Sequence, residues 1–187
     1  MQSRIILDLC SGSGEWSRPY AEAGYRVVPI DLDRGEDIRL FSFPRSPIHG
    51  ILAAPPCTAL ARSGARWWQS KGVDSLTDAL ALADACLRLV ALCDPVWWCL
   101  ENPVGRLRRF YGDPRLIFDP WQYGDPYTKK TLLWGKFSIP EKTPVEPIRS
   151  CKQGSWLQTL GGTRPKTKRL RSMTPPGFAR AFFTANP

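Results

Sequence analysis

The sequence predicts an α/β fold built on a mostly parallel, doubly wound sheet. Three observations lead there. Apolar runs of strand length recur at residues 4–10, 25–30, 49–54 and 96–100. A glycine-rich turn and a short helical segment separate the first two runs, and the longest helical pattern, 75–93, lies between the third and fourth. Strands that alternate with helices pair in parallel, because a parallel neighbour is reached only through a crossover.

The elements follow in order. Arg4 to Cys10 reads as a buried strand and Ser11-Gly12-Ser13-Gly14 as a tight turn. Trp16 to Ala23 reads as a short helix closed by Gly24, and Tyr25 to Ile30 as a second strand that ends at Asp31. His49 to Ala54 is a third strand, running into Pro55-Pro56-Cys57. Ser75 to Cys93 carries Leu76, Leu80, Leu87 and Val90 on one helical face and stops before Pro95. Val96 to Leu100 is a strand followed by Glu101-Asn102-Pro103, and Lys130 to Trp134 is a further strand bounded by Gly135. Residues 138–174 are rich in Pro, Gly, Lys and Arg and show little periodicity. Pro175 to Ala185 is a closing helix with proline at its start. The chain divides into a core at 1–135, a basic segment at 136–173 and a terminal helix at 174–187.

Composition narrows the function. The 187 residues suit one domain, and 43% hydrophobic with 23% charged residues is an ordinary globular balance. No apolar run reaches the roughly 18 residues of a membrane span, and Met1 to Arg4 leads into a strand without a cleavage signature, so a cytoplasmic protein is expected. The net charge of +9 is one-sided: residues 136–187 hold ten basic and two acidic residues, whereas residues 1–60 hold six and seven. Such an end suits a polyanion, above all nucleic acid. The six cysteines form no CxxC pair and there is one histidine, so no metal site is expected.

In an open parallel sheet, ligands bind beyond the carboxyl ends of the strands. Here those ends carry Asp8 and its glycine turn, Asp31, Pro55-Pro56-Cys57 and Glu101-Asn102-Pro103. The turn lets backbone approach a ligand closely, and an acid 23 positions after Asp8, at Asp31, is placed to grip a ribose diol. Neither a GxGxxG spacing nor a P-loop lysine is present, which favours S-adenosylmethionine over a dinucleotide. Two prolines fix the backbone before Cys57 and present its thiol as a nucleophile, provided the surroundings favour the thiolate. Glu101, closing an apolar strand, can hydrogen-bond a heterocycle or hand it a proton.

The order of Asp-Leu-Cys-Ser-Gly-Ser-Gly14, Asp31, Glu36-Asp37-Ile38, Pro-Pro-Cys57, Glu101-Asn-Pro and Tyr123-Gly-Asp-Pro126 resembles the DNA cytosine-5 methyltransferases over about residues 4–135. The resemblance implies a Rossmann-like methyltransferase fold that binds S-adenosylmethionine and methylates a flipped cytosine in double-stranded DNA through a covalent adduct at carbon 6. It makes Cys57 the nucleophile and Glu101 the acid against the cytosine ring. Asp8, Cys10, Gly12, Gly14 and Pro55 line the cofactor, with Asp31 on the ribose and Asp37 on the adenine amine. The family's Gln-x-Arg-x-Arg segment corresponds to Tyr127-Thr-Lys129-Lys130-Thr131, which passes a basic catalytic role to Lys129; Pro103 and Thr58 stand where the family usually has Val and Gln. About 40 residues remain for target recognition, so a short site is expected.

Residues 61–74 are expected to form a lid hinged at Gly64 and Gly72, with Arg62, Arg66 and Lys71 meeting phosphates and Trp67 and Trp68 filling the space of the flipped base. Lys166, Lys168 and Arg169, with Arg164 and Arg171, are expected to follow the DNA backbone in an extended loop. The expected protein is a monomer. The alternatives are a nucleic-acid-binding module of this fold without turnover, and methylation of RNA or a free nucleotide.

Overall fold

The computed structural model describes residues 4–42, 46–152, 154–160 and 164–187. The strands are β1 (Ile5–Leu9), β2 (Arg26–Ile30), β3 (Gly50–Ala53), β4 (Trp97–Pro103), β5 (Leu116–Phe118) and β6 (Thr131–Lys136). The helices are α1 (Arg18–Glu22), α2 (Trp68–Cys93), α3 (Arg108–Tyr111), α4 (Pro165–Ser172) and α5 (Pro176–Ala185). The strands form one six-stranded sheet in the order β2-β1-β3-β4-β6-β5. β2, β1, β3 and β4 pair in parallel, as expected. β6 runs antiparallel to both β4 and β5. The sheet is therefore mixed, with one reversed strand inserted near an edge.

Side-chain alternation divides the core between the two faces of the sheet. Leu7, Leu9, Ile51, Ala53 and Leu100 pack against Ala83, Cys86 and Leu89 of α2. Ile6, Leu52, Trp97 and Cys99 point the other way, toward Tyr20 of α1 and Phe178 and Phe182 of α5. The aromatic side is tightly joined: Phe118 stacks on Phe178 at 3.9 Å, and Trp16 meets Phe182 edge-on at 5.6 Å. Trp16 is held by these rings and not by a helix, since α1 begins only at Arg18.

Three sequence expectations change. β4 continues through Glu101, Asn102 and Pro103, which pair with Leu133, Leu132 and Thr131 of β6; the motif is the end of a strand and not the loop after it. α2 starts at Trp68, seven residues before the expected Ser75, but Gly72 interrupts it with φ 73° and ψ −176°. The basic segment is not an extended loop throughout, because Pro165–Ser172 is helical. Proline in the first turn and the good helix formers Lys and Arg outweigh the lack of an apolar stripe. No helix among the described residues is long and apolar enough to cross a membrane.

Candidate active site

The carboxyl ends of β1, β3 and β4 lie side by side because the three strands are adjacent and parallel. After β1 the chain turns through Cys10, Gly12 and Gly14 at φ 56°, 50° and 72°, the left-handed region that glycine enters freely. The turn is pinned to β2: the amide of Cys10 donates to the Ile30 carbonyl at 2.8 Å, and that of Gly12 to Asp31 Oδ2 at 2.8 Å. Asp31 Oδ1 accepts from the Asp33 amide at 2.9 Å. One carboxylate thus joins two strand ends while each oxygen keeps a second acceptor position.

This corner has room for a ligand. A Cβ built on Gly12 or Gly14 would meet nothing within 4 Å, and the buried Ser11 hydroxyl has no hydrogen-bond partner. Asp8 is buried just below and accepts a 2.5 Å hydrogen bond from Ser17 Oγ. Burial, and to a lesser degree the charge of Asp31, push its pKa up to about 6 despite the Ser17 hydrogen bond. A cationic ligand group beside Asp8 would offset that cost. The Cys10 thiol faces the α2 side of the core, where it meets Cys86, so Cys10 offers the ligand its backbone and not its sulfur. Asp37 is engaged by Arg39, whose Nη2 lies 2.6 Å from Oδ2 and whose amide also donates to Oδ1.

The raised Asp8 pKa has a definite sign. Between the unfolded value of 3.8 and about 6 the folded chain binds the extra proton, so stability falls as pH rises through that window. Asp8→Asn, which keeps an acceptor for Ser17, is expected to remove this slope. Relative to wild type it should gain up to roughly 3 kcal/mol above pH 6, read from urea denaturation at pH 4.5 and pH 7.5.

Cys57 stands after β3 on a rigid support. Pro55 is buried and its carbonyl accepts from Asn102 Nδ2 at 3.0 Å. The Cys57 carbonyl accepts from the amides of Leu60 and Ala61, closing a tight turn. Ala61 then bridges to Gly105, with the Arg62 amide on the Val104 carbonyl and the Arg106 amide on that of Leu60, both at 2.8 Å. A Cβ at Gly105 would lie 2.0 Å from the Leu60 carbonyl oxygen, so only glycine permits this approach. The loop bearing Cys57 and the strand bearing Glu101 are in this way held as one piece.

The reversed strand supplies the cation. β6 begins where β4 ends, so Lys129, two residues before β6, comes to the end of β4, within electrostatic reach of Glu101. Its Nζ donates to the Met173 carbonyl at 2.9 Å, and its amide to Asp119 Oδ1 at 3.0 Å. Burial and the Glu101 charge push the Cys57 thiol pKa up, while Lys129 and Arg171 pull it down. Glu101 is also pushed up by burial and pulled down by Lys129. The four groups share one electrostatic site. Sequence reading assigned Cys57, Glu101 and Lys129 but gave Arg171 only to phosphates; no local signal marks its place near the thiol. Asn102 was also missed as a positioning residue, although it sits inside the quoted motif; its buried Oδ1 has no partner.

The expected DNA-contact residues are spread more widely. Arg62, Arg66 and Trp67 are exposed, and the Arg66 guanidinium stacks on the Trp67 ring at 3.7 Å. Trp68 is half-buried under Arg106 at 3.9 Å. Lys71 Nζ donates to the Thr58 carbonyl at 2.7 Å, which ties the expected lid to the Cys57 loop through one of the ammonium's three N–H donors. Gly72 has the positive φ of a hinge; Gly64 does not. Lys168 and Arg169 are exposed on α4, and the side chain of Lys166 lies outside the described residues. Asp125 of the Tyr-Gly-Asp-Pro segment accepts from the Gly177 amide at 2.8 Å and so caps α5. Among the described residues no group of three or more His, Cys, Asp and Glu side chains is arranged to hold a metal ion.

This mixed α/β fold, with helices on both faces of a six-stranded sheet, is similar to that of a solved structure. That structure is a candidate DNA modification methyltransferase encoded within an E. coli prophage, at 21% identity and a TM-score of 0.57 over 78% of this chain and 53% of that one. The Entamoeba histolytica methyltransferase EhMeth matches at 12% identity and a TM-score of 0.45, over 88% of this chain and 61% of that one. The chain thus spans 53% and 61% of the length of these two structures. No protein-family model and no curated protein matches it.

Proposed function

We propose that the chain is a methyltransferase that binds S-adenosylmethionine and methylates carbon 5 of cytosine in DNA, with Cys57 as nucleophile. The observation that carries this reading is the electrostatic grouping of Cys57, Glu101 and Lys129 at the ends of β3 and β4, next to the open glycine corner of β1. The cofactor, when bound, supplies a methyl group activated on a sulfonium. The backbone from Cys10 to Gly14 would hold its amino-acid part, with Asp8 offsetting its positive charge, and Asp31 would take the ribose hydroxyls. Asp37 can reach the adenine amine only by giving up contacts with Arg39.

The raised pKa values suit a site at rest. With Glu101 charged, the thiol keeps its proton. A protonated Glu101 changes two things. It donates a hydrogen bond to ring nitrogen 3 of cytosine, and it no longer repels a thiolate. Lys129 and Arg171 then favour ionised Cys57. The sulfur bonds to carbon 6 and the ring electron pair moves to carbon 5, which takes the methyl group. Loss of the carbon 5 proton to a base restores the double bond and expels the sulfur. Because a base inside a duplex cannot be reached in this way, the target must flip out. Exposed Lys168 and Arg169 of α4, a short way before Met173 along the chain, are suited to phosphates nearby.

The test is transfer of labelled methyl groups from the cofactor to DNA, RNA and dCMP in parallel. Label recovered as 5-methylcytosine from DNA is the expected result. Label in RNA or dCMP alone would change the substrate class, and transfer to none of them would leave a binding module.

A further inference from the structure

We propose that the groove between the break in α2 and helix α3 binds a nucleotide of the DNA other than the one being methylated. The proposal rests on the DNA reading above. The groove has a volume of about 460 Å³, with Trp68, Val73 and Leu76 from α2 and Arg106, Arg109 and Phe110 from the other side among its lining. It exists because Gly72 leaves the helical path, so the first turn of α2 and the remainder splay apart.

Its chemistry is that of a nucleotide site. Val73 is 75% exposed and Phe110 50%, an apolar surface open to solvent on which a base can stack. The indole N–H of Trp68 is buried without an acceptor. The Arg106 guanidinium lies over that indole, and neither Arg106 nor Arg109 has a carboxylate within salt-bridge distance among the described residues. No acidic residue lines the groove among the described residues. Apolar faces beside two uncompensated guanidinium groups match a base with its phosphate.

Position selects DNA over an acidic protein segment. Lys71, on the first turn of α2, is bonded to the carbonyl of Thr58, the residue after Cys57. Arg106 itself pairs through its amide with Leu60 of the nucleophile loop. The groove is fixed to the same loop that presents the thiol, so a strand whose base enters the Cys57 site passes close to it.

The test uses the full chain and a fluorescein-labelled DNA duplex in anisotropy titrations over a range of salt concentrations. Arg106→Ala/Arg109→Ala is expected to weaken binding about tenfold or more and to lower the slope of log K against log salt by about 1, for the one phosphate left without its guanidinium partners. Phe110→Ala should weaken binding with the slope unchanged, since stacking releases no counterions. Arg109→Glu keeps a long polar side chain at that position and serves if the double variant folds poorly; it should weaken binding at least as much. Wild-type affinity and slope in Arg109→Glu would overturn the proposal. So would polyglutamate binding that depends on both arginines while DNA binding does not. A wild-type chain that binds no DNA would overturn this inference and the DNA reading together. Groove-dependent DNA binding without a covalent adduct on 5-fluorocytosine DNA would overturn only the cytosine-5 chemistry.

Discussion

Cys57→Ala is expected to abolish methyl transfer and leave the fold and cofactor affinity close to wild type. The sulfur is the only heavy atom removed, and the hydrogen bonds that close the loop run to backbone carbonyls. Leu60 and Ala61 donate to the backbone carbonyl of residue 57, and Asn102 holds Pro55, so the turn survives the change. A half-buried thiol outside the main core should cost less than about 1 kcal/mol of stability. The glycine corner and Asp31 follow other strands, so the proposed cofactor site is untouched. Wild type should form an adduct with 5-fluorocytosine DNA that survives denaturing electrophoresis, and the variant none. Because burial and the Glu101 charge hold the thiol above its ordinary pKa, alkylation of Cys57 by iodoacetamide in the wild-type protein without DNA should accelerate as pH rises through neutrality. Methyl transfer by the alanine variant would remove Cys57 from the mechanism.

The part of this site legible in the sequence is the part fixed by local covalent constraints. Paired prolines before Cys57 and glycines that need positive φ mark themselves. A run such as Ile5–Leu9, apolar on both faces, reads as a central strand, and Asp31 follows from the length of one βαβ unit. What could not be read depends on strand direction and tertiary contact. Nothing in the composition of Thr131–Lys136 says that it runs backwards, yet that reversal brings Lys129 to the end of β4, within electrostatic reach of Glu101. Leu116–Phe118 is three residues long, too short for any period to show. Pro165–Ser172 lacks an apolar stripe, so its helix was hidden among charges, and with it the approach of Arg171 to the thiol. The same tertiary logic explains why the apolar run ends at Leu100 while β4 continues to Pro103. Glu101 and Asn102 are polar and read as loop, but pairing with Leu133 and Leu132 keeps them in the sheet.

Glu101→Gln is expected to slow methyl transfer on the order of 100- to 10,000-fold, the usual cost of losing a positioned acid, with DNA affinity changed by no more than a few-fold. Glutamine has the same length and can still hydrogen-bond the cytosine edge, so binding persists. It cannot deliver a proton to ring nitrogen 3 as charge builds up after thiolate addition. A second consequence separates this role from a merely structural one. The Glu101 charge raises the Cys57 pKa, second only to burial, so its removal lowers that pKa. Alkylation of Cys57 by iodoacetamide at neutral pH, followed by mass spectrometry of the modified peptide, should therefore be faster in Glu101→Gln than in wild type even as methyl transfer collapses. Opposite changes in thiol reactivity and turnover follow only if the carboxyl group faces both the sulfur and the substrate ring. Parallel losses in both would mean that the substitution had displaced the loop, and unchanged rates in both would reduce Glu101 to the closing residue of a strand.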